Sequence, residues 1–252
     1  MTLVVRPGHL PGDSLFSDVS LLLKGDGTNG STTITDSSPS PRNVTANNGA
    51  VISTAEYKYG NSSIYFNGTT HSLTFNGPTL GTGNFTIECW LKTNSTVQYA
   101  QIIGNEISAG VFSSDGFTLL INNNASNDGR IRFYVSGLSG TLVLGSSTVS
   151  YRDNAWHHIA VTRSGNDFKL WVDGSLNGTG TSSDDVDGAA TWYVGANNVF
   201  SPRNLIGYVD ELRITKSVAR YAEGTGANAG KMVFAGTNTL ALPTEPFPDG
   251  QY

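Results

Sequence analysis

The chain has 252 residues, of which 38% are hydrophobic and only 14% charged, with 30 glycines and a formal net charge of −5. That length suits one large domain with a full core, and the richness in Gly, Ser, Thr and Asn suits many turns between strands rather than helices. The acidic balance without a basic patch argues against nucleic acid as a partner, the single Cys89 excludes an internal disulfide framework, and no apolar run is long enough for membrane insertion.

Residues 1–17 contain Pro7, Gly8, Pro11 and Gly12 and no sustained alternation, which predicts an extended arm. Leu3, Val4, Val5, Leu10, Leu15 and Phe16 are more apolar than a free tail needs, so the arm should dock, either on a neighbour or on its own domain. The opening MTLVVRPGHLPGD lacks a basic region followed by a long apolar core, so no secretory signal is expected. Residues 19–24 form the first strand, and their consecutive leucines imply burial on both faces. A turn-rich stretch over 25–41 follows, then short strands within 44–52, 63–66 and 73–75. The segment 85–92 is a strand with Phe85, Ile87, Cys89 and Leu91 on one face and Thr86, Glu88, Trp90 and Lys92 on the other. Cys89 on the apolar face reads as a buried structural thiol.

Strands at 102–103, 116–121, 130–135, 141–144 and 147–150 come next, with strong turn chemistry over 122–129. Residues 156–173 spell out a meander. Trp156, His158, Ala160 and Thr162 share one face; after the turn at 164–167, Phe168, Leu170 and Val172 share another, and Asp173-Gly174 is a hairpin signal. A polar loop over 179–188 and strands at 190–194 and 208–215 complete the pattern. Residues 222–230 read as a linker, and Pro243, Pro246 and Pro248 as an extended tail. More than ten strands with turn signals at this spacing predict an all-β jelly roll, a two-sheet antiparallel sandwich.

Four segments carry a resemblance. They are Ser63-Ile64-Tyr65-Phe66-Asn67-Gly68, Phe85-Thr86-Ile87-Glu88-Cys89-Trp90-Leu91-Lys92, the WHHIAVTR…LWVDG hairpin from Trp156 to Gly174, and Ile206-Gly207-Tyr208-Val209-Asp210-Glu211-Leu212-Arg213-Ile214. In this order they resemble the laminin-G-like, concanavalin A-like lectin/glucanase jelly rolls. Val19-Ser20-Leu21-Leu22-Leu23-Lys24-Gly25-Asp26-Gly27 and Val218-Ala219-Arg220-Tyr221 resemble the variety found in structural proteins of tailed bacteriophages. The resemblance implies an arm over 1–17, a concanavalin A-like domain over 18–222 and a C-terminal extension over 223–252, longer than is usual in such relatives.

An enzyme on this fold would be a glycoside hydrolase, which needs two carboxylates across the scissile bond. The hydrolase relatives use Glu-x-Asp-x-Glu or Glu-x-Asp-x-x-Glu, and neither run occurs here. Asp210 and Glu211 are adjacent and diverge on a regular strand. Asp210, on the face of Leu212 and Ile214, is expected to be buried, hydrogen-bonded and structural. The adjacent His157 and His158 cannot chelate one metal from a strand. For glycan binding the candidates are Trp192 as a stacking platform with Asn197, Asn198 and Arg203 as hydrogen-bonding groups, while Trp90, Trp156 and Trp171 read as core. Asp184, Asp185 and Asp187 have two readings, solvated turn acids or the oxygen ligands of a calcium ion, which lectin-like relatives hold at a loop edge.

The expected function is that of a non-catalytic virion protein of a tailed phage, a capsid decoration or a head or tail fibre, with a lectin-like domain adhering to host-surface glycans. The arm and tail would dock on other virion proteins, and symmetric repetition in a particle implies self-association. A free carbohydrate-binding adhesion module is the alternative, and a glycoside hydrolase a further one.

Overall fold

A computed structural model of the chain describes residues 13–106, 116–122, 128–137, 140–145, 149–196, 203–221 and 242–250. Its strands are β1 (Val19–Leu23), β2 (Thr45–Asn47), β3 (Val51–Ser53), β4 (Ser63–Asn67), β5 (Ser72–Asn76), β6 (Phe85–Lys92), β7 (Ala100–Gly104) and β8 (Gly116–Ile121). They continue with β9 (Ile131–Gly137), β10 (Gly140–Gly145), β11 (Trp156–Ser164), β12 (Asp167–Val172), β13 (Ser175–Thr181), β14 (Thr191–Val194) and β15 (Ile206–Lys216). One sheet runs β13-β12-β11-β6-β15-β4-β3, with β1 also paired to β15; the other runs β10-β9-β8-β7-β14-β5-β2. Every pairing is antiparallel. This is the two-sheet jelly-roll sandwich that the alternation predicts.

The core lies between the sheets. Phe85, Ile87, Cys89 and Leu91 of β6 face Phe117, Leu119, Ile121, Phe133 and Val135 of the opposite sheet in one buried cluster. Cys89 is fully buried, and desolvation lifts its thiol well above the usual range. The hairpin signal at 173–174 is realised: Asp173 and Gly174 both take positive φ, 48° and 77°. The stretch 44–52 divides into β2 and β3, which lie in opposite sheets and are joined through Asn48 and Gly49 at φ 52° and 93°. The first residues of the expected 179–188 loop extend β13 to Thr181.

The outer face of the eight-stranded sheet is covered as well. Phe16, Val19, Leu22 and Phe247 form a second apolar cluster there, and Ala160, Trp171 and Tyr221 a third. Of the two destinations open to the arm, residues 13–18 take their own domain. The C-terminal residues 242–250 lie beside them: Asp13 N–H donates to the Gly250 carbonyl at 3.3 Å, Lys24 pairs with Asp249 at 3.3 Å, and the Tyr59 hydroxyl donates to the Pro243 carbonyl. Two-sided burial of β1 thus explains its run of leucines.

Candidate functional site

The structure removes Trp192 from the surface. Strand β14 turns Trp192 and Val194 inward, and Trp192 is 2% exposed, 4.8 Å from the Phe117 ring centroid and 6.1 Å from that of Phe75. Gly77 lies so close that a Cβ there would sit 2.0 Å from the indole Nε1. The expected stacking platform is therefore a core residue. Replacing it with Phe is expected to cost about 1–2 kcal/mol of stability and leave glycan retention unchanged, as read by thermal melting and affinity electrophoresis. Arg203 is also buried, with its guanidinium 5.0 Å from the Tyr99 ring centroid and 3.8 Å from Glu106. Burial lowers its pKa against the opposing pull of Glu106. It is engaged rather than presented to a ligand. Asn197 and Asn198 lie outside the described residues.

The three aspartates do not converge. Asp187 accepts the N–H groups of Leu80 and Gly81 at 2.8 and 2.9 Å, Asp185 accepts the N–H of Asp187 at 2.5 Å, and Asp184 accepts the Ser182 hydroxyl at 3.2 Å. Each carboxylate satisfies a different donor of its own or a neighbouring loop, so the structure does not bring the three together as one ligand set. Among the described residues no group of three His, Cys, Asp or Glu side chains is placed to hold a metal ion.

The outer face of the eight-stranded sheet holds what alternation did not reveal. Glu88, fully buried, accepts Arg213 Nε and Nη2 at 2.9 and 2.6 Å through one oxygen. Its other oxygen meets His158 Nε2 at 3.2 Å and the Tyr221 hydroxyl. Arg213 Nη1 continues to Asp13 at 3.1 Å, and Asp13 takes both terminal nitrogens of Arg220 at 3.0 and 2.7 Å. Charges alternate along this chain, so each is paired out of water. Glu88 is held by structural partners.

Asp210 is buried as expected but on the other face. A bulge between Asp210 and Arg213, with Glu211 at φ 51°, puts Asp210 opposite Trp90 on the outer side while Leu212 and Ile214 enter the core. Its Oδ2 accepts the N–H groups of Lys58 and Tyr59 at 2.7 and 3.1 Å. Glu211 accepts the N–H of Phe247 at 2.7 Å. The histidines diverge: His157 lies between Asp173 at 2.6 Å and Asp153 at 2.9 Å, while His158 points to Glu88. Burial opposes the charge on His157, but the bonds to Asp173 and Asp153 outweigh it and raise its pKa.

At one end of the same outer face lies a row of partly exposed rings. Trp156 and Tyr208 flank Lys92 in register, and Tyr65 pairs opposite Tyr208. The Tyr65 and Tyr208 rings are 5.1 Å apart and tilted by 42°. Lys92 pairs with Glu56 at 2.7 Å between the two aromatic platforms. Two strand spacings, about 10 Å, separate Trp156 from Tyr208. Trp156, expected in the core, thus has the partial exposure that Trp192 lacks.

Known proteins bear on this geometry at the level of fold. A family model described as the concanavalin A-like lectin/glucanases superfamily matches residues 66–223. The botulinum neurotoxin serotype D binding domain is 18% identical with a TM-score of 0.57, covering 81% of this chain and 49% of that one. Domain 4 of an extracellular GH43 arabinanase from Geobacillus stearothermophilus, solved in complex with arabinotriose, is 18% identical with a TM-score of 0.59, covering 79% of this chain and 92% of that one. The botulinum neurotoxin type G receptor-binding domain is 16% identical with a TM-score of 0.55, over 84% of this chain and 50% of that one. The chain spans about half the length of these toxin domains. No curated protein sequence matches it. With its sandwich, its strand order and this family match, the chain belongs to the concanavalin A-like lectin/glucanase superfamily.

Proposed function

We propose that this chain is a non-catalytic glycan-binding protein of a tailed-phage virion, adhering to polysaccharide on the host surface. The observation that carries the glycan reading is the row Trp156, Tyr208 and Tyr65 with Lys92 and Glu56 between its platforms. Sugar rings stack their C–H faces on aromatic side chains, and charged or amide groups between platforms take the hydroxyls. The fold neighbours lend weight, since one was solved with arabinotriose and another belongs to a toxin whose cell entry depends on two ganglioside molecules. The non-catalytic reading is supported by the lack of a Glu-x-Asp-x-Glu or Glu-x-Asp-x-x-Glu run and by Glu88 and Asp210 both being buried and committed to structural partners. The virion assignment rests on the resemblance of 19–27 and 218–221 to phage structural proteins.

Affinity electrophoresis through gels containing arabinan, xylan, mixed-linkage glucan or host surface polysaccharide tests the glycan reading. Retention by at least one polymer is expected, weakened about tenfold by Trp156→Ala or Tyr208→Ala, the equivalent of about 1.4 kcal/mol. Chelation of calcium should not change it, because the Asp184, Asp185 and Asp187 carboxylates are separately engaged. Retention by no polymer would sink the glycan reading, and absence of the chain from purified particles by mass spectrometry would remove the virion assignment.

A further inference from the structure

Where the outer strands β10 and β13 of the two sheets meet, a cleft of about 370 Å³ opens away from the aromatic row. Thr141 and Leu142 of β10 form one wall, and Thr181, Ser182, Ser183 and Asp184 the other, with Asn166 from the β11–β12 turn at its end. The strands approach closely because β13 carries Gly178 and Gly180; a Cβ on Gly180 would lie 2.5 Å from the Leu142 side chain. The wall formed by 181–184 is tied from beneath by Arg163, which is fully buried. Its guanidinium donates to the Gly165 carbonyl at 2.8 Å, to those of Asp184 and Gly81 at 2.7 and 3.3 Å, and to that of Ser182 at 3.3 Å. One buried cation thus fixes three loops through their backbone, and its bonds take none of the side chains that line the cleft. Among the described residues, the side chains of Asn166, Thr181 and Ser183 find no hydrogen-bond partner.

We infer that this cleft is a second binding site, for a single neutral sugar residue such as the end of a glycan chain. The volume falls in the range of small-ligand sites. A carboxylate beside a carboxamide and several hydroxyls matches the mixed donors and acceptors of a pyranose or furanose, and Leu142 offers one apolar patch for its C–H face. Among the described lining residues Asp184 is the charged one, which favours a neutral sugar over an anionic one. The site stands apart from the aromatic row, which suits the flank of an extended chain rather than its end.

Saturation-transfer NMR on the full chain with galactose, glucose, arabinose and fucose, and N-acetylneuraminic acid as the anionic probe, tests the inference. At least one neutral sugar is expected to give signal and the anionic sugar none. Asn166→Ala, an exposed residue with no side-chain bond to lose, should weaken binding about tenfold, as should Asp184→Asn, whereas Trp156→Ala should leave it unchanged. Polysaccharide retention with no monosaccharide signal overturns the cleft and leaves the glycan reading standing. Monosaccharide signal that survives both cleft variants, or equal binding of N-acetylneuraminic acid, also overturns it. Monosaccharide signal confined to the cleft, with no polymer retained by the aromatic row, supports the cleft and overturns the row.

Discussion

Arg213→Ala is expected to lower the unfolding free energy by about 3–5 kcal/mol, the cost of leaving a buried charge without its partner. Arg213 sits between two carboxylates, Glu88 at 2.6 Å and Asp13 at 3.1 Å, and all three side chains are almost wholly out of water. Its loss leaves Glu88 facing a tyrosine hydroxyl and an imidazole, and leaves Asp13 with Arg220 alone on that side. The guanidinium also lies 3.7 Å from the Phe247 ring centroid, so the C-terminal segment loses part of its bed. A denaturant titration should therefore show the drop, and limited proteolysis should show faster cleavage within 242–250. The double variant Glu88→Ala/Arg213→Ala should cost less than the sum of the singles, because the pair is desolvated together. A single-variant loss under about 1 kcal/mol would mean that water reaches these groups, as surface ion pairs contribute no more than that.

That network also marks where reading the sequence stops. Alternation over 85–92 gives the direction of Glu88 and Trp90 away from the core, and that direction holds. It carries no information on what lies beyond the face, and here residues 13–18, 218–221 and 242–250 cover it, so outward polar residues end up buried. Nothing in the letters Asp210-Glu211-Leu212 announces a bulge; one positive φ at Glu211 reverses the face of everything before it and brings Arg213 beside Glu88. The two tryptophans exchanged roles for a related reason. Trp192 stands on a four-residue strand flanked by loops, too short for its period to declare a face, while Trp156 opens a long strand whose outer end is only partly covered. The aspartates of 184–187 were legible as turn acids, but which donors they satisfy depends on Leu80 and Gly81, about a hundred residues away. The hairpin at 173–174 and the burial of Cys89 depend only on local chemistry and alternation, and both were readable.

Stability is expected to fall as pH rises from about 5 to about 8, by several kcal/mol in all. Burial pushes Asp210 up to about 7 against the three backbone N–H groups of Tyr59, Lys58 and Glu211 that favour its charge, with Asp26 adding repulsion. Burial likewise pushes Glu211 up to about 8; the Phe247 N–H and Lys24 oppose this, and Asp210 and Asp26 reinforce it. In the unfolded chain both carboxyls titrate near 4, so between there and pH 8 the native state holds protons that the unfolded state has lost. Folding then takes up protons, and each step up in pH favours unfolding until both groups are ionised in the native state. A rise of that size corresponds to roughly 4 kcal/mol for each carboxyl, an upper figure since the two are adjacent and titrate as a pair. His157 acts with the same sign: its raised pKa gives stability that is complete below its ordinary 6.5 and is lost as pH climbs through the folded value. Asp13 and Asp153, both lowered, act with the opposite sign and only below their ordinary 3.8, outside this window. Asp210→Asn and Glu211→Gln keep an acceptor for the Lys58, Tyr59 and Phe247 N–H groups while removing the titration. Denaturant midpoints between pH 5 and pH 8 should therefore decline steeply in the native sequence and much less in the double variant, the remaining slope belonging to His157. A flat profile in the native sequence would place both carboxylates in contact with water, and with them the bulge that turns Asp210 outward and seats Phe247.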